Sequence, residues 1–378
     1  MKKDSSKKIA AICEIAFFVT CFSSSVNAIE FNLSEGWKGD VGLQLQTFLA
    51  DIEDNVSGES STRVISGFDP SKLTIGVTAP EYEGVTLSGN FQIAQAINGA
   101  KETGDNTFNR ANGGQFQVRI AQLSVAGDFG TFKFGRGWGI FGASSMLHNS
   151  SGLPGVGRSA PIDAYGGSAG RIDYGYYFPD FHAGVQYESP SFSGLSFRVG
   201  VSDPIDVKDR SDQNSNTDTV VTRAEDLRLE AEVNYKSEIF DAWFSVVDAS
   251  TEGEEKQSGF DVGSELRLGP AAITAAFSDG EGIKCCVPST DELRQWYVEA
   301  DVTFGKTTYG VSYGENEISD ANDVDISDGE LTVLFVHYQL TPQMTVIGEW
   351  NNETVSPANG GDDTTDRDTL ALGVNWQF

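Results

Sequence analysis

Long stretches of the chain alternate between apolar and polar residues. In Leu227–Lys236 every odd-numbered residue is apolar or aromatic and every even-numbered residue is polar or charged, and Leu195–Ser202 follows the same rule except at Gly200. Phe260–Leu268 alternates in a similar way, with charged residues on its polar side. Successive side chains of a β-strand point to opposite faces, so this period of two predicts strands with one apolar and one polar face.

The polar face of these strands carries full charges, and the apolar face carries aromatic residues near the strand ends. The aromatic positions are Tyr235, Phe260, Tyr309, Tyr313 and Trp350. A soluble β-sandwich also alternates, but aromatic girdles are typical of a β-barrel whose outside contacts lipid. The pattern therefore favours a transmembrane barrel over a sandwich.

The predicted connections between strands alternate between short and long. Short ones fall near Ala79–Gly84, Gly127–Gly130, Pro190–Gly194, Ser237–Ile239, Gly269–Pro270, Phe304–Lys306 and Thr341–Gln343. Long ones fall near residues 50–70, 98–114, 137–170, 204–225, 249–258, 279–291, 315–329 and 352–367. Outer-membrane barrels have this asymmetry, with short periplasmic turns and long outer loops, and the spacing predicts an all-β, antiparallel, up-and-down barrel of about sixteen strands.

Two segments leave the strand count or register open, whereas the last strand is clear. Arg171–Phe178 is either a strand of its own or the end of the third long loop, and the count of sixteen assumes the loop. Leu331–Leu340 is apolar on both faces, so its register is ambiguous. The last segment places Leu370, Leu372, Val374, Trp376 and Phe378 on one face. We expect it to close the barrel against the first strand, Val41–Leu49, because an open edge is unfavourable in lipid.

Composition narrows the classes of protein. No run among the 378 residues approaches the ~18 to 20 consecutive apolar residues of a membrane helix, which excludes a helical membrane protein. The 55 acidic residues exceed the 26 basic ones, so the formal charge is −29. A phosphate backbone would be repelled, and no nucleic-acid partner is expected.

Residues 1–28 have the organisation of a secretory signal peptide. Four lysines precede a mostly apolar run from Ile9 to Phe22, and Val26-Asn27-Ala28 offers small residues where a signal peptidase cuts. Glu14 is the one feature that favours an amphipathic cytoplasmic helix instead. Cleavage after Ala28 removes a net charge of +2 and leaves residues 29–378 as one barrel domain with a formal charge of −31. In an oxidising compartment Cys285 and Cys286 form either a strained vicinal disulfide or two thiols at a loop tip.

Several motifs resemble the Gram-negative general porins. Gly127–Arg136 (GDFGTFKFGR) resembles the turn and fifth strand of that family, Gly170-Arg171 the exit of its third loop, and Tyr187–Gly194 (YESPSFSG) the next hairpin. Phe378 matches the family's C-terminal assembly signal, with Trp376 on the same face. The resemblance covers most of the chain. It implies a homotrimer of sixteen-stranded barrels, folded by the barrel assembly machinery and surrounded by outer-membrane lipid and lipopolysaccharide.

The resemblance also implies a water-filled pore that the third loop, about Gly137 to Gly170, narrows from inside. General porins set acidic residues on this loop against basic residues on the wall. By position, the constriction candidates are Lys72, Arg119, Arg136, Arg171 and Arg198 on the basic side and Asp163 on the acidic side. Alternation alone points Lys72 and Arg198 into the lumen. Arg136 breaks the parity set by Phe132 and Phe134, so an alternative role is to anchor the base of the loop.

Acidic residues dominate the predicted lumen and outer loops. The lumen acids are Glu230, Glu232, Asp261, Glu265, Glu299 and Asp301. This excess predicts passive diffusion of ions and small hydrophilic solutes with a preference for cations. The acidic segment Asp320–Glu330 does not fit a helix–loop–helix calcium loop, because Val324 takes the fifth position. It is interpreted as a solvated loop, or as one that shares divalent ions with lipopolysaccharide.

Three other functions remain as alternatives. A barrel hydrolase would need a nucleophile with a placed base, but only His148, His182 and His337 are available and no known arrangement surrounds them, so no catalytic residue, metal or cofactor is expected. A substrate-specific channel for sugars or nucleotides would need a lumen stripe of aromatic residues, for which Tyr177 and Trp243 are too few. An adhesin or phage-receptor role carried by the loops is compatible with a pore.

Overall fold

The computed structural model describes residues 28–95, 97, 117–159, 168–203, 207–209, 219–222, 227–250, 256–284, 287–320 and 324–378. Most of the predicted signal peptide, residues 1–27, lies outside this set, as do Cys285 and Cys286. Among the described residues, no helix has both the length and the apolar character needed to cross a bilayer.

Twenty strands, one short α-helix and one 3-10 turn at Ser34–Gly36 are found in the described residues. The first ten strands are β1 Ile29–Asn32, β2 Lys38–Asp54, β3 Glu59–Ile65, β4 Ser71–Thr78, β5 Thr86–Gln95, β6 Gln117–Gly127, β7 Gly130–Trp138, β8 Phe181–Glu188, β9 Leu195–Ser202 and β10 Val207–Asp209. The others are β11 Thr219–Thr222, β12 Arg228–Lys236, β13 Phe240–Ser250, β14 Lys256–Leu268, β15 Ala271–Lys284, β16 Val287–Phe304, β17 Thr307–Ser319, β18 Asp325–Thr341, β19 Met344–Pro357 and β20 Thr365–Gln377. The helix is α1, Ala143–Leu147.

These strands close into an antiparallel barrel. The described sheet holds 18 strand segments, in which β3 and β4 both pair with β2 as two pieces of one barrel strand and β1 only extends an edge. Sixteen barrel strands result, as predicted from the sequence. The predicted closure of the last strand against the first is also confirmed, since β20 pairs with β2 from Gln377 opposite Gln44 to Arg367 opposite Asp54.

The barrel is apolar outside and polar inside. In β12, Leu229 and Val233 are 54% and 48% exposed, whereas Glu230 and Glu232 are 5% and 1% exposed. Strand pairing continues this division around the sheet, because antiparallel neighbours place opposing residues on the same face. The aromatic residues Phe240, Phe304 and Trp376 lie on the outer face near the short turns. A barrel of this size is too wide to fill with its own wall side chains.

The short connections lie where the sequence predicts them, but two predicted long loops are wrong. The link near 50–70 is a tight turn between Asp54 and Glu59 followed by an interruption at 66–70, and the link near 279–291 shrinks because β15 reaches Lys284 and β16 begins at Val287. The facing ends of β15 and β16 are mostly polar, so apolar periodicity disappears there while the backbone ladder continues. In β2, by contrast, the buried residues Ala50 and Ile52 continue the alternation up to the turn. Three other predicted long loops, near 249–258, 315–329 and 352–367, are shorter, because the flanking strands leave only residues 251–255, 320–324 and 358–364 between them. Arg171–Phe178 is not a barrel strand; it belongs to the loop before β8, as the count of sixteen assumes.

The two ends of the barrel domain meet on one edge of β2. Phe378 exchanges backbone hydrogen bonds with Leu43, at N–O distances of 2.9 and 3.0 Å, and Ile29 pairs opposite Val41 two residues further along. The β1 segment thus continues the line of β20. The ring of Trp376 packs 5.1 Å from that of Phe378, which covers the junction from the outer face.

Candidate functional site

The segment from 139 to 180, called the inward loop below, folds into the barrel between β7 and β8. Its described residues are 139–159 and 168–180. Ile140, Phe141, Tyr176 and Tyr177 are at most 1% exposed. A hairpin loop on an outer rim would leave such large residues in water, so their burial places the loop against the inner wall, as the resemblance to the porins implies.

Acidic side chains of the wall receive hydrogen bonds from the inward loop. Glu299 accepts bonds from Asn149 Nδ2 at 2.8 Å and from the amides of Ser150 and Ser151 at 2.6 and 3.1 Å. Glu349 accepts the amides of Val156 and Gly157 at 2.9 and 2.6 Å.

The same pattern continues on neighbouring strands of the wall. Glu230 accepts the Ile140 amide at 2.9 Å, and Asp261 accepts the Ser145 hydroxyl at 2.7 and 2.8 Å. Hydrogen bonds to charged groups are stronger than neutral ones, at about 1.5–3 kcal/mol each. Of the predicted lumen acids, four are buried beneath the loop or beside it: Glu230, Glu232, Asp261 and Glu299. The other two, Glu265 and Asp301, remain partly exposed.

Arg171 secures the other limb of the loop. It is fully buried and donates to Ser312 Oγ at 2.7 Å, to the Tyr174 carbonyl at 3.1 Å and to the Leu331 carbonyl at 2.8 Å. Its guanidinium lies 5.8 Å from the ring centre of Tyr297. Burial lowers the pKa of Arg171 to about 10, which leaves the side chain charged at neutral pH.

The root of the loop, where it returns to the barrel, carries a buried acid. Asp180 Oδ1 accepts the Phe181 amide at 2.7 Å, and the Asp180 carbonyl accepts the Gly139 amide at 2.9 Å. Burial raises the pKa of Asp180 to about 6, although the amide bond and nearby arginines oppose that shift. Asp180 also has a φ of 54°, a left-handed conformation that Asn and Asp tolerate better than most residues.

A cavity of about 450 Å³ lies between the inward loop and the opposite wall. Its loop side consists of Met146, Leu147, Leu153, Pro154 and Phe178, joined by Phe68 and Trp138. Its wall side is polar and includes Gln44, Asp69, Lys72, Gln92, Arg119, Thr303, Lys306, Thr308, His337, Gln339, Thr345, Asn375 and Gln377. Gly305 and Lys306 of the β16–β17 turn take part, as do Gln339 and Thr345 at the adjoining ends of β18 and β19, so the cavity extends toward the short-turn end.

Two of the predicted basic residues come together in this cavity. Lys72 Nζ lies 2.6 Å from Asp69 Oδ2, and Arg119 Nη1 lies 4.0 Å from Asp69 Oδ1. Gln44 donates a further bond to Asp69 at 2.9 Å. The Arg119 guanidinium lies 5.2 Å from the ring centre of Phe181, so aromatic packing fixes its direction.

The other constriction candidates lie elsewhere. Arg198 is buried and bonds Glu232 through Nε at 2.8 Å, and Arg171 lies beneath the loop; neither lines the cavity. Arg136 donates from Nε to the Val118 carbonyl at 3.0 Å at the edge of the neighbouring strand. Asp163, the predicted acidic partner, lies outside the described residues.

One side-chain cluster has the composition of a metal site. Ligand atoms of His148, Asp241 and Glu265 lie within 4.8 Å of one another. Arg267 occupies the same carboxylates, donating to Asp241 at 2.8 and 3.0 Å and also to Glu265. His148 Nδ1 is engaged with the Ser144 carbonyl at 2.8 Å and its ring stacks on Trp243. The arginine already supplies the positive charge, so the cluster fits an ion-pair network.

Sequence reasoning missed two parts of this site. Asp69 is the acidic partner of the basic pair, yet it sits in the wall interruption between β3 and β4, where no alternation marks it. The apolar loop residues Leu147 and Leu153 face the cavity although they lie in a segment rich in Gly and Ser. No period exists in such a segment from which to read a direction.

Residues 15–358 match the family of Gram-negative porins. Among curated proteins, no sequence matches this chain. Solved structures do resemble it. The anion-selective porin from Comamonas acidovorans has 14% identity and a TM-score of 0.64, with 90% of this chain and 100% of that chain covered.

Two further structures show the same fold. The outer membrane channel DcaP of Acinetobacter baumannii has 12% identity and a TM-score of 0.66, with 92% of this chain and 99% of that chain covered. OmpF of Salmonella typhi, in complex with daunomycin, has 13% identity and a TM-score of 0.62, with coverages of 93% and 100%. Identities this low establish the shared fold alone.

A closed barrel, a polar lumen and a loop folded inside it define a transmembrane channel of the outer membrane. The family match covers most of the sequence, and the chain belongs to the Gram-negative porin family. Membership makes it an outer-membrane channel for small solutes and points away from an enzyme.

Proposed function

We propose that the protein is a general diffusion porin, which passes ions and small hydrophilic solutes without catalysis. The observation that carries the proposal is the polar cavity beside the inward loop, where Lys72, Asp69 and Arg119 meet. Fixed charges at a narrow aqueous passage act on permeating solutes, and no cycle of conformational states is required. The pore constriction in this proposal consists of that trio and the loop face opposite it.

We also propose that the working form is a homotrimer in outer-membrane lipid and lipopolysaccharide, folded by the barrel assembly machinery. Support comes from the family and from a similar structure described as a trimer form of Vibrio cholerae OmpT, at 16% identity and a TM-score of 0.55. The terminal Phe378 agrees with the family's assembly signal. Signal cleavage after Ala28 belongs to the same proposal.

Conductance of the purified protein in planar bilayers tests the channel and the trimer together. A trimer of independent pores gives three equal closing steps and an ohmic open state. Insertion without conductance would refute the diffusion function, and single closing steps would refute the trimer.

A preference for cations among small inorganic ions completes the proposal. Since four predicted lumen acids lie beneath or beside the inward loop, this preference rests on the formal charge of −31 that remains after signal cleavage and on the outer acidic segments rather than on the constriction. Reversal potentials in a potassium chloride gradient measure it directly. A reversal potential with the sign expected for a chloride-selective channel would refute the cation preference.

A further inference from the structure

The side of the inward loop that faces the cavity is apolar. Each described loop residue that lines the cavity has an apolar side chain, and Leu147 and Leu153 are only partly buried, so a solute can touch them. Trp138 is likewise partly buried and packs 5.7 Å from Phe178 in an edge-on contact. Bare inorganic ions gain nothing from such a surface, because they have no apolar area to remove from water.

On the opposite side of the cavity, the trio of Lys72, Arg119 and Asp69 carries one net positive charge, and Lys306 of the β16–β17 turn adds a second. Lys72 and Arg119 share the single carboxylate of Asp69. Their heads are held in place, Lys72 by the 2.6 Å ion pair and Arg119 by its contact with the ring of Phe181. The amides of Gln44 and Gln92 stand beside them and can accept or donate further hydrogen bonds.

We propose that this cavity is a binding subsite for small organic monoanions with an apolar body, such as aromatic or branched monocarboxylates, on their way through the pore. The carboxylate meets Lys72 and Arg119 while the apolar body lies against Leu147 and Leu153. The volume of about 450 Å³ falls within the usual range of small-molecule sites, about 300–1,000 Å³. This inference rests on the proposed channel function and names the solute class that the constriction selects.

The subsite is compatible with a cation preference for inorganic ions. Inorganic ions respond to the field of the whole acidic molecule, whereas a solute in the cavity responds to contacts within a few ångströms. The subsite makes three discriminations at once. It favours an anion over a cation of the same shape, and an anion with a bulky apolar body over one with only a methyl group. It also favours an aromatic anion over a neutral aromatic compound of similar shape.

The test uses benzoate as the probe, with acetate, benzyl alcohol and benzylammonium as matched comparisons. Each compound is added to a bilayer that carries open channels, and the fall in potassium chloride current is followed against concentration. Benzoate should halve the current at a concentration about tenfold or more below that of acetate, as apolar contact in a pocket discriminates by about 10–200-fold. Benzyl alcohol and benzylammonium should be weaker than benzoate.

Variants identify the cavity as the place of binding. Leu147→Asn removes the apolar contact at similar size and Lys72→Gln removes one positive charge, and each should raise the half-blocking benzoate concentration about tenfold. Lys133→Gln is the matched control. Lys133 is also paired with a carboxylate, Glu188 at 3.1 Å, but it does not line the cavity. Benzoate should therefore block the Lys133→Gln channel at the same concentration as the wild-type channel.

Calorimetric titration of benzoate into the folded protein in detergent separates this inference from the channel itself. Binding in the calorimeter without potassium chloride current in the bilayer would refute the diffusion function and leave the subsite standing. Normal current with equal blocking by benzoate and acetate, or with equal blocking in Leu147→Asn and wild type, would overturn the subsite and leave the channel.

Discussion

At the scale of single residues, the acids of the inner wall have a different role from the one their sequence positions suggest. Alternation correctly points Glu230, Glu232, Asp261 and Glu299 into the barrel, and all four are buried there. The period of two gives the face of a strand but not what covers that face. Loop donors cover these acids, so most of them serve as hydrogen-bond acceptors for the loop rather than as charges along the pore.

Glu299 provides the sharpest test of this anchoring role. Glu299→Ala removes the acceptor for three loop hydrogen bonds, each worth about 1.5–3 kcal/mol, so the loop should leave its wall position part of the time. The open channel should then show higher conductance and larger current noise. Glu265→Ala is the control, because Glu265 bonds Arg267 rather than the loop. Wild-type conductance and noise in Glu299→Ala would count against anchoring.

Asp180 predicts a pH dependence of stability. Its pKa is raised by burial to about 6 in the folded protein, so the folded state binds a proton that the unfolded state loses near pH 4. A raised pKa gives a contribution that is complete below the unfolded value and is lost as the pH rises through about 6. The contribution is on the order of 3 kcal/mol at most.

The measurement is thermal unfolding in detergent between pH 4 and 8. Wild-type Tm should fall between about pH 4 and 6 more than the Tm of Asp180→Asn, which keeps the acceptor for the Phe181 amide and tolerates the left-handed backbone. Parallel Tm curves for the two proteins would show that another group controls the pH dependence.

At the scale of elements, the two faces of β20 should tolerate charge very differently. Leu372 is 62% exposed on the lipid face, and Asn375 is 6% exposed on the lumen side. A lysine on the lipid face costs about 2–4 kcal/mol near the bilayer centre, so Leu372→Lys should lower the urea midpoint of unfolding in lipid vesicles. Asn375→Lys keeps its charge in the aqueous cavity and should unfold close to wild type. Similar midpoints for the two variants would contradict the assigned faces.

The elements also show how far periodicity predicts this fold. Alternation and turn spacing predict the barrel, the seven short connections and the closure of β20 on β2, because each of these depends on neighbouring strands. They fail at the outer ends of β15 and β16, where most residues are polar, and at the interruption of residues 66–70. The inward loop is predicted from the resemblance to the general porins and not from periodicity. Which of its residues face the cavity depends on contacts with distant strands, such as Arg171 with Leu331, that no local pattern encodes.

At the scale of the whole molecule, the meeting of the two chain ends gives a prediction for processing. Ile29 pairs opposite Val41 directly beyond the contact of Phe378 with Leu43, so a cut after Ala28 places the new amino group on β2 next to Phe378. N-terminal sequencing of the protein from outer membranes should begin at Ile29. A start several residues later would remove β1 and leave that edge of β2 without its partner.

The net charge of the molecule and the local charge of the cavity should affect ion selectivity with different dependences on salt concentration. The overall formal charge, −31 after the proposed cleavage, acts through solution, where the screening length is about 30 Å at 0.01 M salt and about 3 Å at 1 M. Cation preference should therefore weaken steadily as salt rises. In the proposed constriction, Lys72 and Arg119 are within contact distance of a permeating ion, so their effect should survive at high salt.

The double variant Lys72→Gln, Arg119→Gln should consequently shift the reversal potential toward potassium at both salt concentrations, by an increment that changes little between them. Lys133→Gln, which removes a lumen charge away from the cavity, should produce a smaller shift. If the double variant shifts the potential only at low salt, the two residues act through the general field and do not form the constriction. An equal shift in the Lys133 variant would place the selective charges elsewhere along the lumen.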